Sequence, residues 1–216
     1  MEDVLAVYQR PYDPRYPLIC LDEKGKEWQA NRAGREPLPA QPGTPGASSV
    51  RQDYEYQRAG SANLLLLCEP LQGWRKVVVT ADRRARSFAQ ELQQLVDVDY
   101  PHAEKIVLVT DNLNIHGPWS LYAAFAPAEA RRIASLLEWH YTPEHGSWLN
   151  MAELELSALT RQCLGRRFAD VSSLRLECAA WTQERNQREV KIHWHFTAAD
   201  ARIRLRRLYP VIEDIS

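Results

Sequence analysis

Three acidic residues, Asp22, Asp111 and Glu153, are the side chains of this sequence best suited to do chemistry together. Asp22 follows the apolar run PLICL, Asp111 follows the aliphatic run IVLVT, and Glu153 lies in the segment WLNMAELELSAL. Two acids at strand ends and a third on a later helix can converge at one edge of a sheet. Because carboxylates are hard oxygen ligands for Mg²⁺, such a cluster predicts a two-metal site for phosphoryl transfer on a polyanion.

Each aspartate has a simpler explanation when it is considered alone, because an Asp after a strand often caps a helix or closes a turn. The polar residues near Asp111 and Glu153 favour the metal site instead. These neighbours are Asn112, Asn114, His116, Glu144, His145 and Asn150. His116 and His145 are candidates for contacting phosphate or positioning water. Ser147 is predicted to cap the helix that carries Glu153, where backbone N–H groups can bind phosphate.

The helical segment 148–164 contains a second acid, Glu155, that competes with Glu153. The apolar positions of this segment recur at steps of three and four residues and predict its buried stripe. They are Leu149, Ala152, Leu156, Leu159 and Cys163. Glu153 and Glu155 lie on opposite flanks of that stripe, so periodicity does not choose between them. We expect one of the two to be a solvated or ion-paired surface acid.

The pattern of apolar residues predicts an α/β architecture around these acids. The predicted strands are 17–22, 62–69, 75–80, 106–111 and 138–142, with an antiparallel hairpin between the second and third. The predicted helices are 84–97, 148–164, 171–188 and 197–208. A further helix is predicted to open at Pro127, with Ile133, Leu136 and Leu137 on one face. Together they predict a mixed five-stranded sheet flanked by helices, with extra C-terminal helices. The segment 31–53, rich in Pro, Gly, Ala and Ser, is predicted to be a loop insertion.

The charge of this 216-residue chain is −1 overall but is unevenly distributed. Residues 1–160 carry 16 Lys and Arg against 21 Asp and Glu, whereas residues 161–216 carry 11 against 7. The segment 165–216 is therefore predicted to be a basic helical tail, which either binds a phosphate backbone or is a solvated helical face. Its basic residues include Arg166, Arg167, Arg202, Arg204, Arg206 and Arg207. The pair His193 and His195 is only a weak metal signal.

The cysteines and the apolar runs indicate where the protein resides. The four cysteines, Cys20, Cys68, Cys163 and Cys178, form no CxxC pair and are interpreted as core residues in a reducing compartment. No apolar run approaches the length that spans a membrane, and the N-terminal residues are unlike a signal peptide. These features predict a cytoplasmic protein.

The strings LDEK, VTDNLNIHG and YTPEHGSWLNMAELELSALTRQCL resemble the catalytic core of bacterial insertion-sequence transposases of the mariner superfamily. The tail FTAADARIRLRRLYP also resembles that family, so the resemblance covers about residues 1–210. It implies an RNase H-like (retroviral integrase-like) fold with the catalytic residues Asp22, Asp111 and Glu153. The resemblance, and not the periodicity, selects Glu153 over Glu155.

The resemblance also implies the reaction and the partners. Two Mg²⁺ or Mn²⁺ ions would be held by the three acids, with Asp22 bridging both. The enzyme would cut DNA at the terminal inverted repeats of a transposon and join the freed 3′ hydroxyl to target DNA, commonly at TA sites. A homodimer on DNA and nucleoid association in the DNA-bound state are expected. The candidate DNA-contacting residues are Asn112, Asn114, His116, His145, Asn150, Arg166, Arg167 and Arg204.

One departure from the family pattern keeps alternatives open. Family members usually carry helix-turn-helix modules before the catalytic core, but only 21 residues precede Asp22. We therefore expect residues 1–216 to form a single catalytic domain without that module. One alternative is an inactive, truncated remnant that acts at most as a DNA-binding or interaction domain. Another is a different two-metal RNase H-like nuclease, such as a ribonuclease for RNA–DNA hybrids.

Overall fold

The computed structural model of this protein describes residues 1–31 and 56–209. The predicted loop insertion at 31–53 falls, except for Asn31, outside these ranges, as does the end of the basic tail. The strands are β1 (Leu18–Asn31), β2 (Tyr56–Glu69), β3 (Trp74–Thr80), β4 (Ile106–Thr110) and β5 (Leu137–Tyr141). The α-helices are α1 (Glu2–Tyr8), α2 (Ala85–Gln94), α3 (Pro127–Ser135), α4 (Met151–Leu159), α5 (Val171–Gln187) and α6 (Ala198–Arg204).

The five strands form one mixed sheet in the order β3-β2-β1-β4-β5. The first three strands are antiparallel neighbours, whereas β4 pairs in parallel with β1 on one side and with β5 on the other. The predicted five-stranded mixed sheet and its β2–β3 hairpin are therefore confirmed. Gly73 closes the hairpin with a φ of +72°, and its N–H donates to the carbonyl of Glu69 at 3.0 Å.

Strand β1 is longer than the apolar pattern predicts. It does not end at Asp22 but continues to Asn31, paired with β2 almost throughout its length. The residues after Asp22 are mainly polar, so the hydrophobic signal ends while the ladder of backbone hydrogen bonds continues. Asp22 therefore lies within a strand, and only the neighbouring strand β4 ends beside it.

The sheet is covered by helices on both faces. One apolar layer joins it to α1, α4, α5 and α6, and the other joins it to α2 and α3. The run Leu64–Leu67 alternates between these layers, because successive strand residues point to opposite faces. A continuous aliphatic run buried on both sides is typical of a central strand. This double cover makes the centre of the sheet a rigid support for side chains at its edge.

Several helix boundaries differ from the predicted ones. Leu137 begins β5 and is not part of the helix that Pro127 opens, because α3 ends at Ser135. The predicted final helix divides into α6 and a separate 3₁₀ helix, Arg206–Leu208. The short helix α1 was not predicted from the sequence. Helix α2 continues into a π-helical turn, Leu95–Asp99, so that prediction is confirmed.

All four cysteines are buried free thiols, as their apolar surroundings predict. Within the described ranges, none of the helices combines the length and the apolar character that crossing a membrane requires.

Candidate active site

The sheet brings Asp22 and Asp111 to the same place. Strands β1 and β4 pair in parallel with Cys20 opposite Val109, and extending this register by two residues sets Asp22 beside Asp111. Cys20 and Val109 belong to the apolar layer under α4. Because side chains two residues apart share a face, both aspartates lie on the side of the sheet that α4 covers.

Asn150 fixes the start of α4 against β1. Its side-chain oxygen accepts from the N–H of Ala152 at 3.1 Å, and its amide nitrogen donates to the carbonyl of Leu21 at 2.7 Å. The prediction that Ser147 caps this helix is therefore wrong, because Ser147 opens a separate 3₁₀ turn. Asn150 is buried with both ends of its amide engaged, and its contact with DNA stays a prediction. Asn150 holds the first turn of α4, with Glu153, beside Asp22.

The three predicted acids line one open cleft of about 450 Å³. Its other lining residues are Glu23, Lys24, Ser147, Asn150, Leu156, Ser157, Thr160 and Arg161. Glu155 lies away from this cleft, where its buried carboxylate is ion-paired with Arg75 and Arg185. The structure thus distinguishes Glu153 from Glu155, which helical periodicity could not do. The expected ion-paired acid is Glu155, but it is buried and not at the surface.

Asp22 lies in an environment that resists its negative charge. Burial, together with the charges of Asp111 and Glu153, raises the pKa of Asp22 to about 6, although the N–H of Glu23 donates to its Oδ1 at 2.7 Å. A group whose pKa is raised in this way prefers a proton or a cation to the bare carboxylate. The cleft is therefore electrostatically suited to a positive ligand.

Asp111 is held by a buried histidine. His116 Nδ1 donates to Asp111 Oδ1 and lies 3.1 Å from Thr110 Oγ1, while its Nε2 is 3.4 Å from Glu23 Oε1. Burial alone lowers the pKa of His116, but the two carboxylates outweigh it and raise that pKa to about 8. The resulting imidazolium lowers the pKa of Asp111, against the effect of that group's own burial. His116 has no exposed surface and supports Asp111 from within the protein, and its contact with DNA stays a prediction.

Glu23 and Arg83 belong to the same arrangement and were missed from the sequence. Glu23 has a 3% exposed side chain, and it accepts from Arg83 Nε at 2.7 Å on one side and faces His116 on the other. Positive and negative groups therefore alternate from Arg83 through Glu23 and His116 to Asp111. The doublet Asp22-Glu23 could have indicated the role of Glu23. Neighbouring strand residues face opposite sides of a sheet, so Glu23 must contact other groups than Asp22 does.

The remaining predicted DNA contacts are mostly accessible. Asn112, Asn114 and His145 are exposed on the loops that follow β4 and precede the Ser147–Leu149 turn. Arg166 and Arg204 are exposed too, with Arg166 ion-paired to Glu177, and Arg167 is partly exposed. Their contacts with DNA stay predictions. Two cations that the sequence did not single out, Lys24 and Arg161, line the cleft itself.

The donor set of the cleft fits a hard divalent cation. Asp22, Asp111 and Glu153 offer only carboxylate oxygens, the ligands that Mg²⁺ and Mn²⁺ prefer. Within residues 1–31 and 56–209, no three His, Cys, Asp or Glu side chains lie close enough together to hold an ion as they stand. Burial first, and then the charges of Asp111 and Glu153, raise the pKa of Asp22, and a cation beside Asp22 would offset both effects.

The protein-family comparison decides the class of this site, because the family model described as DDE superfamily endonuclease matches residues 17–175. The chain belongs to this family. The match includes β1, β4 and α4, the elements that carry the three acids. Membership of an endonuclease family of this kind implies dependence on a divalent metal. No curated protein matches the sequence.

Solved structures share the fold. The chain is similar to a Mos1 mariner paired-end complex with Mn (15% identity, TM-score 0.55), a Mos1 transposase paired-end complex with the left transposon end (17%, 0.53) and a Mos1 strand transfer complex (17%, 0.52). Each similarity covers 87% of this chain but only 54–55% of the Mos1 chain. The predicted RNase H-like fold is thereby confirmed. The chain spans about 55% of the length of these solved relatives.

Proposed function

We propose that this chain is the catalytic domain of a transposase, which cleaves DNA at transposon ends and transfers the cut strand to target DNA. The observation that carries the proposal is that Asp22, Asp111 and Glu153, from three separate elements, line one cleft in a DDE superfamily endonuclease. The similar Mos1 structures are paired-end and strand transfer complexes, which supports DNA as the substrate. Attack by water would cleave the strand, and attack by the freed 3′ hydroxyl would join it to the target.

In this proposal Asp22, Asp111 and Glu153 hold two divalent metal ions, Mg²⁺ or Mn²⁺. A similar Mos1 paired-end complex contains Mn. When bound, the metal supplies charge neutralisation at the reacting phosphate and activation of the attacking oxygen. The protein's own contribution is orientation. His116 holds the carboxylate of Asp111, and Glu23 faces the other ring nitrogen of His116; such outer partners of metal ligands typically tune affinity and activity.

The DNA strand would be held by positive and polar groups around the cleft. Arg161 Nη1 donates to Ser157 Oγ at 2.9 Å, which orients its guanidinium at the cleft wall one helical turn beyond Ser157. Arginine and lysine are suited to phosphate, so we assign Arg161 and Lys24 to the phosphates flanking the cut. The accessible residues Asn112, Asn114, His145, Arg166, Arg167 and Arg204 are proposed to contact the DNA farther along.

The biological setting is proposed from the sequence resemblance. It comprises a bacterial insertion sequence, terminal inverted repeats as the DNA that is cut, TA sites as the target, and a homodimer assembled on DNA. The protein would act in the cytoplasm, on the nucleoid when bound to DNA. Because the Mos1 chains are longer than this one, the activity of the domain by itself is also part of the proposal.

The test is cleavage and strand transfer on labelled DNA duplexes carrying transposon ends, with an RNA–DNA hybrid of the same sequence in parallel. We expect nicking and joined products from DNA in Mg²⁺ or Mn²⁺, and their loss in Asp22→Ala, Asp111→Ala and Glu153→Ala. Glu144→Ala is the matched control, because Glu144 is an exposed acid in the loop before α4. Preferential cleavage of the hybrid would favour the ribonuclease alternative. A metal-bound protein without activity on either substrate would favour the inactive remnant.

A further inference from the structure

An exposed tryptophan lies at the rim of the cleft. Trp148 belongs to the 3₁₀ turn Ser147–Leu149 that leads into α4, and its neighbour Ser147 lines the cleft. The Trp148 side chain is 44% exposed, although both residues on its C-terminal side, Leu149 and Asn150, are buried. A single exposed apolar residue is ordinary on a protein surface, so the significance of Trp148 depends on what holds it there.

The ring of Trp148 is supported from behind by other aromatic rings. It stacks on Trp194 with an interplanar angle of 22° and a centroid distance of 6.5 Å, and it meets Phe196 edge-on at 5.7 Å. Trp194 in turn packs on Tyr8, with ring centroids 5.2 Å apart, and its Nε1 donates to the carbonyl of Phe196 at 2.7 Å. These contacts explain the His-Trp-His motif at 193–195 without a metal, because its tryptophan supports Trp148.

The backbone that carries Trp148 is fixed as well. The hydroxyl of Tyr8 donates to the carbonyl of Leu149 at 2.6 Å, and Asn150 donates to the carbonyl of Leu21 at 2.7 Å. Trp148 is therefore held by rings behind it and by anchored residues after it, while much of its surface faces solvent. A side chain ordered in advance loses little conformational entropy when it binds a ligand, so this exposed surface is preorganised for stacking.

The groups around Trp148 favour nucleic acid as the ligand. The cations Lys24 and Arg161 line the adjoining cleft beside its acids. His145, His193 and His195 are exposed near the tryptophan in sequence or beside its supporting ring. Stacking rings combined with positive groups are typical of sites for single-stranded nucleic acid. In a continuous duplex each base face is covered by the next base pair, so only an unpaired or extrahelical base can stack on a protein ring.

We propose that Trp148 stacks on one unpaired base of the DNA strand whose phosphate enters the cleft. This inference rests on the proposed function and deepens it. Trp148 is then a positioning residue, which holds the strand in register with Asp22, Asp111 and Glu153. It also implies that the DNA end is locally unpaired when the strand is cut or transferred.

The test is the affinity for a fluorescent single-stranded oligothymidine of about ten nucleotides, and for a duplex of equal length, measured in EDTA so that no cleavage occurs. Trp148→Leu keeps an apolar side chain but removes the ring, whereas Trp148→Phe keeps a ring. We expect Trp148→Leu to weaken single-strand binding roughly 5- to 150-fold, the range typical of one lost stacking contact, and Trp148→Phe to retain most of the affinity. Duplex binding should change little in either variant.

The control is Tyr12→Leu, which removes an exposed ring next to a separate cavity around Leu18 and Val107, near the start of β1 and β4. Unchanged single-strand affinity in Trp148→Leu, or equal losses for single strand and duplex, would overturn the inference; thermal melting of each variant shows that it is folded. If the wild-type protein cleaves DNA and Trp148→Leu binds the single strand as tightly as the wild type, only this inference is refuted. Wild-type protein that neither binds nor cleaves DNA would refute the proposed function together with it.

Discussion

Replacing Glu155 with alanine should destabilise this protein strongly, whereas replacing Glu153, two residues earlier, should not. The Glu155 carboxylate accepts hydrogen bonds from Arg75 Nη2 at 3.2 Å and from Arg185 Nε and Nη2 at 3.0 and 2.7 Å. Arg75 is fully buried and Glu155 is 3% exposed. Arg75 also donates to the carbonyls of Gly73 and Val190, so this network joins β3, α4 and the segment after α5.

The magnitude follows from the charge that the substitution leaves behind. Burial already lowers the pKa of Arg75 while Glu155 is present, which shows that its site resists a positive charge. Removing one partner of a buried ion pair typically costs about 3–5 kcal/mol. The carbonyl acceptors of Arg75 remain after the substitution, so we expect about 3 kcal/mol, a large part of the roughly 5–15 kcal/mol that stabilises an ordinary domain. Exposed Glu153 should change stability by less than about 0.5 kcal/mol.

The assay is urea unfolding followed by circular dichroism, with wild type, Glu153→Ala, Glu155→Ala and Glu155→Gln compared at one pH. Glu155→Gln preserves the shape of the side chain and isolates the contribution of its charge. A free energy of unfolding for Glu155→Ala within about 0.5 kcal/mol of that for Glu153→Ala would refute the buried network. Cleavage should show the opposite order, because folded Glu155→Ala keeps all three acids of the cleft.

Two further predictions concern buried titratable groups. His116→Gln should lower metal-dependent cleavage roughly 10- to 100-fold, because Asp111 loses its charged partner. Initial cleavage rates measured against metal concentration test this, and rates equal to those of the wild type would contradict it. Glu69→Gln should raise the melting temperature at pH 8 but not below about pH 4. Burial raises the pKa of Glu69 in the folded protein. The stability that the Glu69 carboxyl contributes is therefore fully present below its pKa in the unfolded chain, and it is lost as pH rises through its pKa in the folded protein. Glutamine still accepts from the Tyr100 hydroxyl, and melting curves that shift equally at both pH values would show the reasoning to be wrong.

The strands at the centre of this fold were predictable because local chemistry determines them. The aliphatic runs at 62–69 and 106–111 are buried on both faces, and that burial leaves a continuous apolar signal. The extension of β1 beyond Asp22 was not predictable, because polar residues pair there through backbone hydrogen bonds that carry no hydrophobic pattern.

The roles of individual polar residues depend on partners far away in the sequence. Glu155 is buried because Arg75, 80 residues earlier, and Arg185, 30 residues later, meet its carboxylate. Asn150 caps α4 because its amide also reaches Leu21, 129 residues away. Periodicity along one helix contains neither fact, so it could rank Glu153 and Glu155 only as equals.

The most direct test of the central claim is Mn²⁺ binding, measured by electron paramagnetic resonance titration of the protein without DNA. If Asp22, Asp111 and Glu153 form one metal site, then Asp22→Asn, Asp111→Asn and Glu153→Gln should each weaken Mn²⁺ binding, while the exposed control Glu144→Gln binds like wild type. Wild-type affinity in all three variants, with the protein folded, would contradict the account.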